Sequence, residues 1–223
     1  MLYKTVVLDL DGTLVDSAPG IVQSIAHTLR EMGQPVPPIG ELLRWVGPPL
    51  PESFRLLGNI PQADVDKALA IYRERYLEVG AYDSKLFDGV GALLRDLKER
   101  NTSLAIATSK PYTPAVLMLE HFTLAQHFDV IATAWDDETR GEKPLIVGDA
   151  LDELAQKGHN TSDIVMIGDR IHDVEGAKEH GLTSIIVGWG YGTGEEWGHA
   201  DFVAHTPRQL RTLLGLPAPR DFS

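Results

Sequence analysis

With 223 residues, 43% of them hydrophobic and 23% charged, the chain has the make-up of a globular protein, large enough for one sizeable domain or a core with a small companion. A net charge of −12, from 32 acids against 20 bases, disfavours nucleic acid or an anionic membrane as the main partner, since both rely on basic surface. The absence of cysteine removes disulfides, thiolate metal sites and cysteine nucleophiles. No basic-then-apolar leader precedes the first strand and no apolar run approaches a membrane span, so a cytoplasmic location is expected.

Thr5, Val6, Val7 and Leu8 form a β-branched and apolar run that fits a strand buried on both faces of a parallel sheet. Asp9 and Asp11 follow. If the strand persists through Leu10, both project from one side of its C-terminal end, where open α/β sheets place their ligands. Two carboxylates this close raise each other's pKa unless a cation lies between them, so the pair implies a divalent metal or a shared proton. Gly12 lets the backbone turn sharply against a ligand, and Thr13 adds a hydroxyl and an N–H at the same point. A strand running into a solvated Asp-Gly turn is the other reading of these residues.

Ser17 is placed to cap a helix, with Pro19 close behind and Ile21, Ile25, Leu29 and Met32 on one face, ended by Gly33 and Pro35. Prolines crowd positions 35–61 and break long elements, leaving short helical patterns at 41–45 and 52–57 before a longer one at 64–79. No strand pattern occurs between Asp16 and Lys85. A helical block is thus inserted between the first strand and an alternation of helices and strands.

That alternation begins with a helix at 90–101 and a strand at 103–107, which ends in Thr108-Ser109-Lys110-Pro111. Hydroxyls at a strand end, with proline opening a helix, offer donors to an anion, although helix capping explains the same residues. A helix at 117–122 and a strand at 128–133 lead to a polar segment containing Arg140 and then Lys143, just ahead of Pro144 and a helix at 145–156. The strand 164–167 runs into Gly168-Asp169, with Asp173 four residues on, and both acids face one site if a helical turn begins there. His172 between them reads as a surface or supporting histidine, since oxygen ligands are already in place. Strands at 183–187 and 200–203 flank the glycine-rich loop 188–194, which lacks the dinucleotide-binding pattern. A helix at 207–214 closes the chain.

The segment Val7-Leu8-Asp9-Leu10-Asp11-Gly12-Thr13-Leu14-Val15-Asp16-Ser17 resembles the first motif of the haloacid dehalogenase superfamily, in its aspartate-dependent phosphatase branch. Thr108, Lys143 and Gly168-Asp169-x-x-x-Asp173 match its second, third and fourth motifs. The resemblance implies an α/β fold: a Rossmann-like doubly wound parallel sheet core, residues 1–15 and 86–223, with an inserted small α-helical cap domain, residues 16–85. It implies Asp9 as nucleophile and Asp11 as general acid and base. Thr108 would bind the phosphoryl group, and Lys143 would neutralise both the nucleophile and the phosphate, with Gly12, Thr13 and Ser109 beside it. Mg2+ would be held by Asp9, the Asp11 backbone carbonyl and Asp169, with Asp173 in support. Arg44, beside Trp45 and Gly47-Pro48-Pro49, lies on a stretch that resembles the cap segment facing the active site, and would meet a substrate carboxylate or phosphate.

The implied activity is hydrolysis of a small phosphorylated metabolite, phosphoglycolate or a nucleoside monophosphate, through an aspartyl-phosphate, by a monomer or homodimer. A dehalogenase would lack Asp11. Sugar phosphomutases usually carry an apolar β-branched residue where Thr13 stands, so a phosphomutase is the alternative within the superfamily. A non-catalytic phosphate-binding regulator is the alternative outside enzymes.

Overall fold

The computed structural model describes residues 3–137 and 140–217. Thr5–Leu8 forms β1, with all four residues buried. The chain continues through β2 (Val15–Asp16), α1 (Ala18–Glu31), α2 (Ile39–Leu42), α3 (Leu50–Leu56), α4 (Val65–Glu78) and β3 (Lys85–Leu86). Next come α5 (Val90–Glu99), β4 (Ser103–Pro111), α6 (Tyr112–His121), β5 (Val130–Ala134) and α7 (Lys143–Gln156). The last elements are β6 (Ile164–Gly168), α8 (Ile171–Glu179), β7 (Thr183–Val187), α9 (Gly194–Trp197), β8 (Phe202–Ala204) and α10 (Pro207–Leu213). Two compact units result, one of Met1–Val15 with Leu86–Ser223 and one of Asp16–Lys85.

In the first unit the strands form a sheet in the order β5-β4-β1-β6-β7-β8, and every pairing is parallel. Its helices intervene between successive strands, as a doubly wound α/β fold requires. The strand order reverses around β1: the chain moves outward through β4 to β5, then returns to the far side of β1 for β6. Such a switch point opens a crevice at the C-terminal ends of the central strands. Leu8, the last residue of β1, pairs with Ile106 on one side and Ile167 on the other, so Asp9, Ala107 and Gly168 emerge side by side. The core beneath is apolar, with Val7, Ala105, Ile146, Val147 and Met166 all buried.

Three boundaries differ from the expectation, and each bears on the site. β1 stops at Leu8, because the Leu10 carbonyl accepts the N–H groups of Leu14 (2.9 Å) and Val15 (3.0 Å) and closes a tight loop. Asp9 and Asp11 therefore do not share one face of an extended strand. β4 runs past Ala107 to Pro111 with a shift of register between Thr108 and Pro111, and α6 starts at Tyr112 with Pro111 at its cap position. Lys143 is the first residue of α7 rather than a residue ahead of it, with Pro144 in the first turn.

In the second unit α1 packs on α4, and the apolar face read from Ile21, Ile25 and Leu29 is buried. Pro38, Pro49 and Pro61 take the cap positions of α2, α3 and the 3-10 turn Gln62–Asp64, so the prolines start the short helices as well as separating them. Trp45 meets Phe54, and Phe54 meets Tyr72, edge to face with ring centroids 5.7 and 6.2 Å apart, and Tyr72 stacks on Tyr76 at 5.6 Å. Aromatic pairs at such spacing add to the burial of their area. Among the described residues no helix is long and apolar enough to cross a membrane.

Candidate active site

Asp9 leaves β1 tied to β6 by its N–H, which donates to the Ile167 carbonyl (2.9 Å), and its side chain is buried. Lys143 reaches it from the start of α7. The Lys143 ammonium donates to Asp9 Oδ1 (2.7 Å) and to the Ala107 carbonyl (3.0 Å), and pairs with Asp173 Oδ1 (2.8 Å). A lysine ammonium has three N–H groups, and here each has a partner. Burial pulls the Lys143 pKa down, but the carboxylates of Asp173 and Asp9 outweigh it and raise it above the ordinary lysine range, so the group stays charged.

Asp169 follows β6 and is fully buried. Its Oδ2 accepts the Tyr191 N–H (2.6 Å), while its Oδ1 is buried without a hydrogen-bond partner among the described residues. Asp173, in the first turn of α8, accepts the N–H groups of Asp169 (3.1 Å) and Arg170 (3.0 Å) on Oδ2, so both of its oxygens are engaged by the protein. Asp9, Asp169 and Asp173 each offer an oxygen within 4.8 Å of the others. Burial raises the Asp169 pKa well above the carboxylate range, and the charges of Asp173 and Asp9 raise it further. Asp9 is pushed up to about 6, again by burial first, with Lys143 opposing.

Those shifts record a charge imbalance, since the single ammonium of Lys143 stands against three buried carboxylates. A hard divalent cation would correct it, and the donor set fits one: carboxylate oxygens, one of them unpartnered, with no nitrogen or sulfur ligand in the cluster. Asp11 is not part of this cluster, and its carboxylate pairs instead with Lys110.

Of the other sequence candidates, Thr108 is buried on β4 and its Oγ1 accepts the Lys110 N–H (3.2 Å). Ser109 beside it is half-buried. Thr13 is buried, and its hydroxyl has no hydrogen-bond partner among the described residues. Gly12 has φ +78. Arg44 is exposed on the 3-10 turn Leu43–Trp45 of the helical unit. Arg140 turns to Asp149 (2.6 Å), and His172 lies at the surface beside Glu175 (3.4 Å).

The roles of two features escaped the sequence reading. Lys110 is a buried cation whose ammonium lies 3.1 Å from Asp11 Oδ2 and 3.3 Å from Oδ1. Its available signal was a position two residues after Thr108 on a strand, the spacing that returns to the same side. The glycine-rich loop 188–194 forms the wall behind Asp169. A Cβ on Gly190 would lie 2.4 Å from Asp169 Cβ, one on Gly192 would lie 2.0 Å from the Asp169 carbonyl oxygen, and the Trp189 indole N–H donates to the Thr13 carbonyl (3.2 Å). Gly190 and Gly192 within that run were the signal, since only residues without side chains pack so closely on a buried carboxylate.

A doubly wound parallel sheet whose switch point gathers buried aspartates and a lysine offers what phosphoryl transfer asks for, carboxylates to hold a cation and an ammonium to offset charge. The signature of the haloacid dehalogenase-like hydrolases matches residues 6–187, and the chain belongs to that family. It is 44% identical to the tyrosine-protein kinase PtkA of Mycobacterium tuberculosis over 96% of this chain and 73% of that protein. It is 36% identical to a 5'-nucleotidase of Pseudomonas aeruginosa over 87% of this chain and 86% of that one. The crystal structure of a predicted phosphatase from Clostridium acetobutylicum superposes with a TM-score of 0.88 at 36% identity, covering 97% of this chain and all of that one. The protein is an enzyme of the phosphatase class of that family.

Proposed function

We propose that the protein is a magnesium-dependent phosphatase of small phosphomonoesters, phosphoglycolate or a nucleoside monophosphate, that works in the cytoplasm through an aspartyl-phosphate on Asp9. The observation that carries this reading is the buried cluster of Asp9, Asp169 and Asp173 with Lys143 donating to Asp9. The unit Asp16–Lys85 is the cap in this reading, and Arg44 belongs to it.

Lys143 holds Asp9 Oδ1, which leaves Oδ2 to attack phosphorus. As the new P–O bond forms, the ester P–O bond breaks and its electron pair leaves with the alkoxide, to which Asp11 gives a proton. Water then attacks the aspartyl-phosphate. Asp11 takes the water's proton, the Asp9 oxygen departs as carboxylate and phosphate is released. Thr108 and the free hydroxyl of Thr13 donate to the phosphoryl oxygens, and Lys143 offsets their charge. Asp9, the Asp11 backbone carbonyl and Asp169, with Asp173 in support, would hold the magnesium ion, which when bound neutralises the repulsion between carboxylate and phosphate dianion.

The test is phosphate release with magnesium over glycolate, nucleotide, sugar and tyrosine phosphates, with Asp9→Asn as the control. Turnover by the native chain and none by a folded Asp9→Asn supports the reading; retained turnover removes Asp9 as nucleophile. A phosphomutase would release little phosphate and move it between sugar hydroxyls. A protein kinase, the name its mycobacterial relative carries, would leave phosphate on tyrosine.

A further inference from the structure

We propose that Lys110 is a positioning residue for proton transfer to the leaving group, acting through Asp11. The inference rests on the phosphatase reading above and adds a residue to it. Lysine is among the residues least often buried, and its ammonium loses hydration unless a partner replaces the water. Here the side chain is only 5% exposed, and the ammonium lies 3.1 and 3.3 Å from the two oxygens of Asp11, itself 17% exposed. A cation set almost evenly between both oxygens restricts how that carboxyl group turns.

The local backbone is shaped to bring it there. β4 continues past the point where its pairing with β5 shifts register, and the Lys110 N–H caps Thr108 Oγ1 inside that irregular stretch. Bulges of this kind re-aim side chains beside active sites. The two buried ammonium groups thus divide the first motif between them, Lys143 serving Asp9 and Lys110 serving Asp11.

In the first half-reaction the electron pair of the breaking ester P–O bond goes to the leaving oxygen, the Asp11 proton follows it, and a carboxylate remains facing Lys110. A rotating carboxyl group would spend less time aimed at that oxygen, and misplacement of a catalytic group by about 1 Å can cost ~10²-fold. The loss should grow with how much the leaving group needs the proton. A p-nitrophenolate departs largely unaided, whereas a phenolate does not.

The experiment compares native chain and Lys110→Met on p-nitrophenyl phosphate and phenyl phosphate, with magnesium, and records a thermal melt of each. The expected result is a kcat/KM, which reports the first half-reaction alone, lowered by about 10²-fold on phenyl phosphate and by less than about 10-fold on p-nitrophenyl phosphate. In the Asp11→Asn background the same substitution should add almost nothing, because residues acting as a unit are not additive. Equal losses on both esters would overturn the proposal, since they would place Lys110 on the phosphoryl group or in the fold alone. Additive losses with Asp11→Asn would do the same. Should Lys110→Met not fold, Lys110→Gln, which keeps a donor but no ammonium, serves the same comparison. Failure of the phosphatase reading is distinct: there a folded Asp9→Asn would keep the native rates on both esters.

Discussion

Gly12 and Asp169 touch so closely that a Cβ on Gly12 would lie 2.2 Å from Asp169 Oδ2. The first-motif turn and the β6 carboxylate are thereby one packed unit, although 157 positions separate them in the chain. Gly12→Ala should combine the strain of a side chain at φ +78 with an overpacked contact, for about 3 kcal/mol of lost stability. Urea unfolding measures the loss. Phosphatase turnover should fall with it even at temperatures where the variant is folded, because Asp169 must move to make room.

Lys143 is the single ammonium among three buried carboxylates, and removing it leaves those charges uncompensated. Lys143→Met should destabilise the chain by about 3 kcal/mol, the cost of breaking a buried ion pair from one side. Millimolar magnesium should recover part of that loss and a chelator should abolish the recovery. Paired unfolding curves with magnesium and with EDTA decide it; a loss indifferent to magnesium would separate the cluster from metal binding.

A metal held by the folded state alone must also stabilise the native chain. Magnesium at about 100 times its dissociation constant should add ~2.7 kcal/mol to the unfolding free energy. Asp169→Asn, which loses the unpartnered oxygen's charge, should show little or none of this gain, and differential scanning calorimetry reads both.

Asp129 supplies the pH dependence that can be read away from the site. It is partly desolvated, which raises its pKa, but the Lys98 ammonium (2.8 and 2.9 Å) and the Leu104 N–H (2.9 Å) outweigh this and hold it below its ordinary 3.8. A carboxyl group with a depressed folded-state pKa stabilises above its unfolded value and loses that contribution as pH falls through the folded one. The contribution should therefore be present at pH 7 and disappear below about 3.8, with Asp129→Asn less stable at neutral pH by about 1 kcal/mol or less. Unfolding curves for both proteins should converge in acid.

The sequence by itself determined the class of fold and the residues of the motifs. Runs such as 5–8 and 164–167 are short, apolar and without alternation, which with their β-branched residues fits strands covered on both faces, and the polar residues just past them fall at the sheet's C-terminal edge. The residue pattern did not determine which charge meets which; the motif resemblance alone implied that Lys143 neutralises Asp9, and nothing pointed to Lys110 and Asp11. The expectation that Asp9 and Asp11 share a strand face failed because β1 ends early, and a loop closed by the Leu10 carbonyl sends the two acids to different lysines. Lys143 meets Asp9 across 134 residues and Lys110 meets Asp11 across 99, and the glycine loop reaches Asp169 only because β7 lies beside β6. Periodicity and capping are local and can be read along a chain. Partnership among buried charges follows from strand order and register, which exist only once the sheet has been assembled.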